Sequence, residues 1–282
     1  MIATLLEVLT ETIKIIAMVF VLMVVIEDIE FRTERKISSW MVGGRLRQYF
    51  LSSFLGATPG CVGAFTSVSF YVHGPFSLGA ITAAMVATSG DEAFVMLAKF
   101  PTVALCLFGL LFALGVVSGA LMDVVAKKFG IEKCESCVME ERAEEQKKIG
   151  KRHFLEERII RHVVRKHIPR LFLWVFFTLL AIALIRARVD LEAVLSGLPV
   201  FVLVSAAAVI GIIPGSGPHL PFVFLFADGA IPFSVLLASS IAQDGHGMLP
   251  MLSYTLRDSL IIKTFNVVYA IAVSAPLALA GY

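Results

Sequence analysis

Two stretches of this chain, residues 56–97 and 211–252, repeat one arrangement of helix-breaking residues at an offset of 155 positions. The offset pairs identical residues without a gap: Gly56/Gly211, Pro59/Pro214, Gly60/Gly215, Val68/Val223, Gly74/Gly229, Ala83/Ala238, Ala87/Ala242, Gly90/Gly245, Met96/Met251 and Leu97/Leu252. Apolar identities arise readily by chance in a chain that is 58% hydrophobic. A Gly-x-x-Pro-Gly break followed 30 residues later by a second glycine flanked by acids does not. The pattern therefore predicts an internal duplication.

The composition indicates an integral membrane protein. Only 16% of the 282 residues are charged, and the mean hydropathy of +0.86 is too high for a soluble domain of this size. Six apolar runs are long enough, some with flanking residues, to cross about 30 Å of hydrocarbon at about 1.5 Å per residue. They are 13–27, 76–98, 101–122, 171–185, 231–252 and 260–280. We expect the first run to remain as a membrane helix, because it lacks a basic start and a small-residue cleavage site.

Two further apolar segments, 47–73 and 198–228, are interrupted in the middle by Pro59-Gly60 and by Pro214-Gly215. Each arm has about 11–16 residues, or roughly 17–24 Å of helix, which is short for a full crossing. We predict re-entrant helical hairpins with tips near mid-membrane. Irregular backbone is tolerated at that depth only where protein or a water-filled cavity surrounds it.

Each half then contains three spanning helices plus one re-entrant helical hairpin, and the odd number of crossings inverts the second half. The predicted fold is an all-α polytopic membrane protein with an inverted-topology repeat. Residues 1–128 form the first membrane repeat, 129–169 a charged linker and 170–282 the second membrane repeat. Cys134 and Cys137 form a C-x-x-C in the linker, but two cysteines alone do not define a zinc site. We favour an inert loop over a metal-sensing one.

The basic residues predict the orientation. Under this scheme 20 of the 24 Lys and Arg residues face one side, and only Lys14, Lys99, Arg186 and Arg188 face the other. Since positively charged loops face the cytoplasm, we expect a multi-pass protein of the cell membrane with both termini outside and the linker 129–169 in the cytoplasm. The first hairpin would enter from the cytoplasm and the second from outside.

Polar residues at mid-membrane are costly, and here they gather at the duplicated breaks. The second break of each half, 88–92 and 243–247, interrupts a spanning helix. Two hairpin tips and two unwound helices near a pseudo-two-fold axis would enclose a small polar chamber. The candidate metal ligands are Asp91, Glu92, His219, Asp244 and His246. The candidate substrate-binding residues are Thr58, Pro59, Gly60, Ser89, Gly90, Pro214, Gly215, Ser216, Gln243 and Gly245.

Structural roles are the alternative for several of these residues. Asp91 and Asp244 could cap broken helices, and His219 and His246 could be satisfied interior histidines. Lys263 and Asn266 lie toward a helix end, where snorkelling or capping accounts for them.

The mixture of carboxylate, imidazole and backbone carbonyl donors favours a borderline divalent cation such as Mn²⁺, Zn²⁺, Fe²⁺ or Co²⁺. The acids also suit coupling to H⁺ or Na⁺. Anions remain an alternative because helix N-termini attract them, although no Lys or Arg lies within either tip or break. We expect a transported divalent ion, most simply manganese, and no permanently bound cofactor.

Four segments carry the clearest likeness to known proteins: GATPGCVGAF from Gly56, ATSGDEA from Ala87, GIIPGSGPH from Gly211 and AQDGHG from Ala242. In these segments, and over nearly its whole length, the chain resembles a prokaryotic family of ten-transmembrane heavy-metal exporters, also labelled manganese transporters or arsenic-efflux-like proteins. The resemblance implies efflux of a metal or metalloid, and the family's ten segments would equal six crossings plus four hairpin arms. Arsenite is usually held by thiolates, and only Cys61 lies near a tip, so a divalent cation is favoured.

These observations predict a secondary active membrane transporter that exports a divalent metal ion and is not an enzyme. No G-x-x-x-x-G-K-[ST] motif is present, so an ion gradient would supply the energy. The alternatives are a polyprenyl-phosphate flippase or phosphatase, which would call for a basic residue at a tip or break, and an oxyanion exporter of the arsenite type. An intramembrane protease ranks last, since H-E-x-x-H is absent. The expected partners are the lipid bilayer and a small inorganic ion, without nucleic acid, and a homodimer is compatible with the sequence.

Overall fold

Interruptions at the duplicated glycines and prolines divide the apolar sequence into short helices. The computed structural model describes residues 2–37, 44–60, 62–72, 76–131, 168–189, 191–245 and 247–281. The elements of the first half are α1 (Ile2–Ile37), α2 (Arg45–Ala57), α3 (Val62–Val72), α4 (Leu78–Ala87), α5 (Glu92–Lys99) and α6 (Pro101–Phe129). Those of the second half are α7 (Ile168–Arg186), α8 (Leu191–Ser196), α9 (Val200–Ile210), a 3-10 turn (Gly217–His219), α10 (Leu220–Ala227), α11 (Phe233–Ala242), α12 (Met248–Tyr254) and α13 (Leu256–Leu279). Every regular element in the described residues is helical, as predicted.

Some sequence predictions concern residues that lie outside this description. They include His246, Cys61, Cys134 and Cys137, and all of the linker 129–169 except residues 129–131 and 168–169.

The helices end where the sequence predicts breaks. The chain leaves α2 at Thr58 and starts α3 at Val62, so the first Pro-Gly pair lies between two helices. The corresponding interruption in the second half separates α9 from the 3-10 turn and α10. Residues 88–91 separate α4 from α5, and 243–247 separate α11 from α12.

Packing within and between the halves is reciprocal. α4 packs against α2 and α6, and α11 packs in the same way against α9 and α13. Between the halves, α5 contacts α10 while α3 contacts α12, and α4 contacts α13 while α6 contacts α11. The two helices that precede the second breaks, α4 and α11, also contact each other, so the interrupted helices meet in the middle of the described structure.

Two apolar clusters hold opposite ends of these helices. One contains Tyr49 near the start of α2, Val72 at the end of α3, Leu78 at the start of α4, Met251 in α12 and Ile262 in α13. The other contains Met96 in α5, Ala104 in α6, Phe224 in α10 and Leu236 in α11. The start of α4 thus shares a cluster with α12, and α5 shares the other cluster with α11.

The exposed surface is suited to lipid. Among the described residues, three helical segments are long and apolar enough to cross a membrane: Leu78–Lys99, Pro101–Phe129 and Leu256–Leu279. The first is 94% buried over its most apolar window, whereas the other two are 39% and 28% buried. α4 and α5 therefore form the interior of the molecule. α6 presents large apolar side chains outward, including Leu105, Val117, Leu121 and Val124, which water would disfavour and hydrocarbon accommodates.

Candidate functional site

The second breaks of the two halves touch at Gly90 and Gly245. Their φ angles are nearly equal, at 52° and 54°, in the left-handed region that favours glycine. A Cβ built on Gly90 would lie 3.3 Å from the Gly245 Cα and 2.3 Å from the Ser216 hydroxyl. Both the backbone conformation and the close approach therefore require the absence of a side chain.

Gln243 links the two breaks by hydrogen bonds. Its amide Nε2 donates to the Thr88 carbonyl at 3.2 Å and to Glu92 Oε1 at 2.7 Å. Thr88 and Gln243 are themselves separated by the 155-residue offset. A side chain that bonds to the counterpart of its own position indicates that the two breaks face each other.

The Pro-Gly interruption of each half also reaches residues 88–92, the second break of the first half. The Gly60 N–H donates to the Gly90 carbonyl at 3.2 Å, and the Asp91 N–H donates to the Ser216 hydroxyl at 3.1 Å. The glycines of the two Pro-Gly interruptions, Gly60 and Gly215, again have matching φ angles, 105° and 106°. Backbone and short side chains from four interruptions thus meet at one junction.

The junction is buried and rich in oxygen atoms. Glu92 is 1% exposed, Asp91 5% and Gln243 0%. Within the described residues, no hydrogen-bond partner is found for Glu92 Oε2, Gln243 Oε1 or Ser89 Oγ. Buried polar atoms are normally paired. A bound ion at this position would supply the missing partner for these three oxygens.

Asp91 and His219 border this junction. Asp91 occupies the N-cap position of α5, but its side chain makes no capping hydrogen bond, which argues against a purely capping role. His219 is fully buried in the 3-10 turn that follows Ser216, and its Nδ1 lies 2.9 Å from the Ser239 hydroxyl. Its Nε2 has no partner among the described atoms.

Asp244 is held by two residues of α13. Lys263 Nζ donates to Asp244 Oδ2, and Asn266 Nδ2 donates to Oδ1 at 2.6 Å. Lys263 also donates to the Gly211 carbonyl at 3.3 Å. Since Lys263 is 5% exposed and Asn266 fully buried, the expectation that they snorkel or cap a helix end is wrong.

A further buried carboxylate, Asp258, was not predicted from the sequence. Tyr71 at the end of α3 donates its hydroxyl hydrogen to Asp258 Oδ2 at 2.6 Å, which joins α3 to α13. Asp258, Lys263 and Asn266 are all buried residues of α13. The available signal was their spacing, because Lys263 and Asn266 are three residues apart and Asp258 lies eight residues before Asn266, which places Asn266 on the same side of the helix as each of the other two.

The remaining predicted residues lie at the edges of the junction. Thr58 Oγ1 donates to the Leu55 carbonyl at 2.6 Å and so closes the end of α2. Pro59 and Pro214 are half-buried in the two Pro-Gly interruptions, and Gly215 is buried. Among the described residues, no three His, Cys, Asp or Glu side chains lie close enough to hold a metal ion by themselves. A site here would also need the amide, hydroxyl or backbone oxygens.

The fold and this junction define a multi-pass helical membrane protein with a buried polar centre between interrupted helices. The chain belongs to the family described as "Putative, 10TM heavy-metal exporter", whose model matches residues 2–169 and again 136–278. This match confirms the resemblance inferred from the motifs and assigns the chain to a transporter family rather than an enzyme family. No curated protein and no solved structure matches the chain.

Proposed function

We propose that the protein is a secondary active exporter of a divalent metal ion, with manganese the first candidate, which binds where the two second breaks meet. The observation that carries this proposal is the contact of Gln243 with both Glu92 and Thr88. It brings Glu92, in the second break of the first half, and Gln243, in the second break of the second half, to one buried position. Transporters built from repeats commonly bind their substrates at such a repeat interface.

The charge of the junction supports a divalent cation. Asp91, Glu92 and Asp244 supply three carboxylates, and Lys263 is paired with Asp244. Among the described residues, Glu92 makes no ion pair with a lysine or arginine, and its Oε2 has no hydrogen-bond partner. A buried negative charge needs compensation, and a divalent ion would supply it with oxygen ligands and one imidazole, His219. His246 remains a predicted ligand.

The proposed inverted repeat is supported by the two apolar clusters. The start of α4 lies with α12, and α5 lies with α11. Two equivalent helix pairs that run in opposite directions would produce this arrangement. The reciprocal contacts of α3 with α12 and of α5 with α10 favour the same two-fold relation.

The proposed hairpins are supported by where their arms begin and end. Tyr49 near the start of α2 and Val72 at the end of α3 belong to one cluster, so both arms reach the same end of the molecule. Val200 at the start of α9 packs in a cluster with Phe226 near the end of α10. We place the first hairpin on the cytoplasmic side with the linker 129–169, and the second on the side of both termini.

An oxyanion exporter is the second candidate, and Lys263 is the observation that favours it. Lys263 donates to Asp244 in residues 243–247, the second break of the second half, and that break contains no Lys or Arg of its own. Its charge is already engaged by Asp244, however, so the junction retains an excess of acid. We therefore rank the cation first.

The test is transport by the purified protein in liposomes. We would measure fluxes of Mn²⁺, Zn²⁺, Co²⁺, arsenite and phosphate for the native chain, for Glu92→Gln and for Asp91→Asn. Loss of a charged ligand should lower the metal flux at subsaturating concentration by about tenfold or more. Glu7→Gln, which changes an exposed carboxylate of α1, serves as the matched control and should transport normally. Equal metal flux in all variants would reject this site, and flux of arsenite or phosphate alone would establish the second candidate.

A further inference from the structure

The Lys263 ammonium group lies in a pocket between three separate elements, two of which contribute oxygen atoms to it. Asp244 comes from the break after α11, the Gly211 carbonyl from the end of α9, and Lys263 itself from α13. Asn266 fixes the carboxylate from the other side and has a buried Oδ1 without a partner among the described residues. Asp244 and Asn266 are fully buried, so the pocket lies in the interior.

The oxygen atoms around this ammonium group are of the types that bind alkali cations in membrane transporters. There, carbonyls at the C-terminal ends of half-helices and in unwound segments coordinate Na⁺. Gly211 occupies the C-cap position of α9, and Asp244 lies in the unwound segment between α11 and α12. The carboxylate adds one negative charge, which a monovalent cation balances.

The first half lacks both the acid and the base of this pocket. At the 155-residue offset, Ser89 corresponds to Asp244, Phe108 to Lys263 and Leu111 to Asn266. The lysine thus occurs in the half that has the carboxylate. The negative charge of Asp244 is therefore balanced by one positive charge from the same half. This indicates that the ammonium group takes the place that a bound monovalent cation would otherwise occupy.

We propose that Lys263 is a tethered replacement for a sodium ion. Its ammonium group fills a Na⁺ position between Asp244 and the Gly211 carbonyl, and this makes the transporter independent of sodium. The consequence for transport rests on the proposed function, whereas the ion-binding property of the pocket does not.

The experiment measures binding of ²²Na⁺ to the purified protein by a scintillation proximity assay. The native chain should show no saturable binding. Lys263→Gln removes the positive charge and keeps a polar side chain, so it should bind Na⁺ saturably, and Asp244→Asn in the same chain should abolish that binding. Lys263→Arg retains a cation and should not bind Na⁺. The matched control is Lys99→Gln, which removes a lysine from the ion pair with Glu11 elsewhere in the protein.

Thermal unfolding in sodium chloride and in choline chloride gives an independent readout. A ligand that binds only the folded state raises the melting temperature, so Na⁺ should stabilise Lys263→Gln and leave the native chain unchanged. Lys263→Ala is the second variant. If neither Lys263→Gln nor Lys263→Ala folds in sodium chloride or in choline chloride, the proposal is overturned. A sodium ion should restore the charge balance of the pocket and so allow these variants to fold.

Two other outcomes also overturn the proposal. One is Lys263→Gln binding no more ²²Na⁺ than the native chain. The other is saturable binding by the native chain that Asp244→Asn removes. Absence of metal flux from the native chain, together with sodium binding by Lys263→Gln, would instead reject the proposed export and leave this assignment of Lys263 intact.

Discussion

At the scale of single residues, Gln243 is the side chain through which the two breaks are joined. Its amide is fully buried and supplies the hydrogen for both the Thr88 carbonyl and Glu92. We predict that Gln243→Leu lowers the free energy of unfolding by about 1–3 kcal/mol, because it leaves two buried acceptors without a donor. The measurement is thermal or denaturant unfolding in detergent, followed by fluorescence.

The control for this prediction is Thr264→Val. Thr264 is exposed on α13, and its hydroxyl donates only to the Leu260 carbonyl of its own helix. Its substitution should change stability by less than about 0.5 kcal/mol. If Gln243→Leu were as stable as this control, the link between the breaks would contribute nothing to folding.

The residues of the junction differ in how far sequence could predict them. Asp91, Glu92 and Gln243 adjoin glycine breaks inside apolar runs, so their burial near one another followed from the duplication. Lys263 and Asn266 adjoin no break. They reach Asp244 only because α11 packs on α13, and this contact joins positions about twenty residues apart that local sequence does not relate. Whether these residues hold a metal ion stays a prediction.

At the scale of helical elements, the separation of α4 from α5 depends on Gly90. We predict that Gly90→Ala destabilises the protein by about 2 kcal/mol or more, since a left-handed conformation alone costs a residue with a Cβ about 1–2 kcal/mol. The new methyl group would also meet the Ser216 hydroxyl at 2.3 Å. Unfolding in detergent measures the loss, and the double variant with Ser216→Gly should recover part of it.

Gly109 provides the matched comparison. It is an exposed glycine within α6, with ordinary helical backbone and no atom within 4 Å of an added Cβ. Gly109→Ala should leave stability unchanged or raise it by up to about 1 kcal/mol. Equal effects of the two substitutions would mean that the contact between the breaks places no constraint on Gly90.

The helix breaks were predictable because their causes are local. Proline removes a hydrogen-bond donor and glycine permits positive φ, so both act at their own position whatever the fold. The boundary between the consecutive helices α12 and α13 was harder to predict from the sequence. The predicted apolar runs end at 252 and begin again at 260. In the structure, α12 reaches Tyr254, and Thr255 caps α13 by accepting a hydrogen bond from the Asp258 N–H. A single threonine among polar neighbours does not distinguish a cap from the middle of a loop.

At the scale of the whole molecule, the ion pairs form two groups at opposite ends of the helices. This is the distribution that the predicted orientation requires. Lys99 at the end of α5 pairs with Glu11, and Arg186 at the end of α7 pairs with Asp228. The rings of Phe100 and Phe226 are 5.2 Å apart, which brings these two ion pairs to one end of the protein. Arg45 instead lies near Asp123 of α6, and Asp123 also accepts a hydrogen bond from Tyr49 in the opposite cluster.

This separation predicts the sidedness of single cysteines in a chain whose four native cysteines are replaced by serine or alanine. Val189→Cys, after α7, should react in intact cells with a maleimide that cannot cross the membrane. Phe129→Cys and Leu256→Cys should react only after permeabilisation, because basic segments beside α6 and α13 are expected in the cytoplasm. All three native side chains are well exposed, at 44%, 71% and 61%, so a lack of labelling would reflect the membrane and not burial. Labelling of Val189→Cys together with Leu256→Cys in intact cells would contradict the inverted repeat, since the chain between them would then cross the membrane an even number of times.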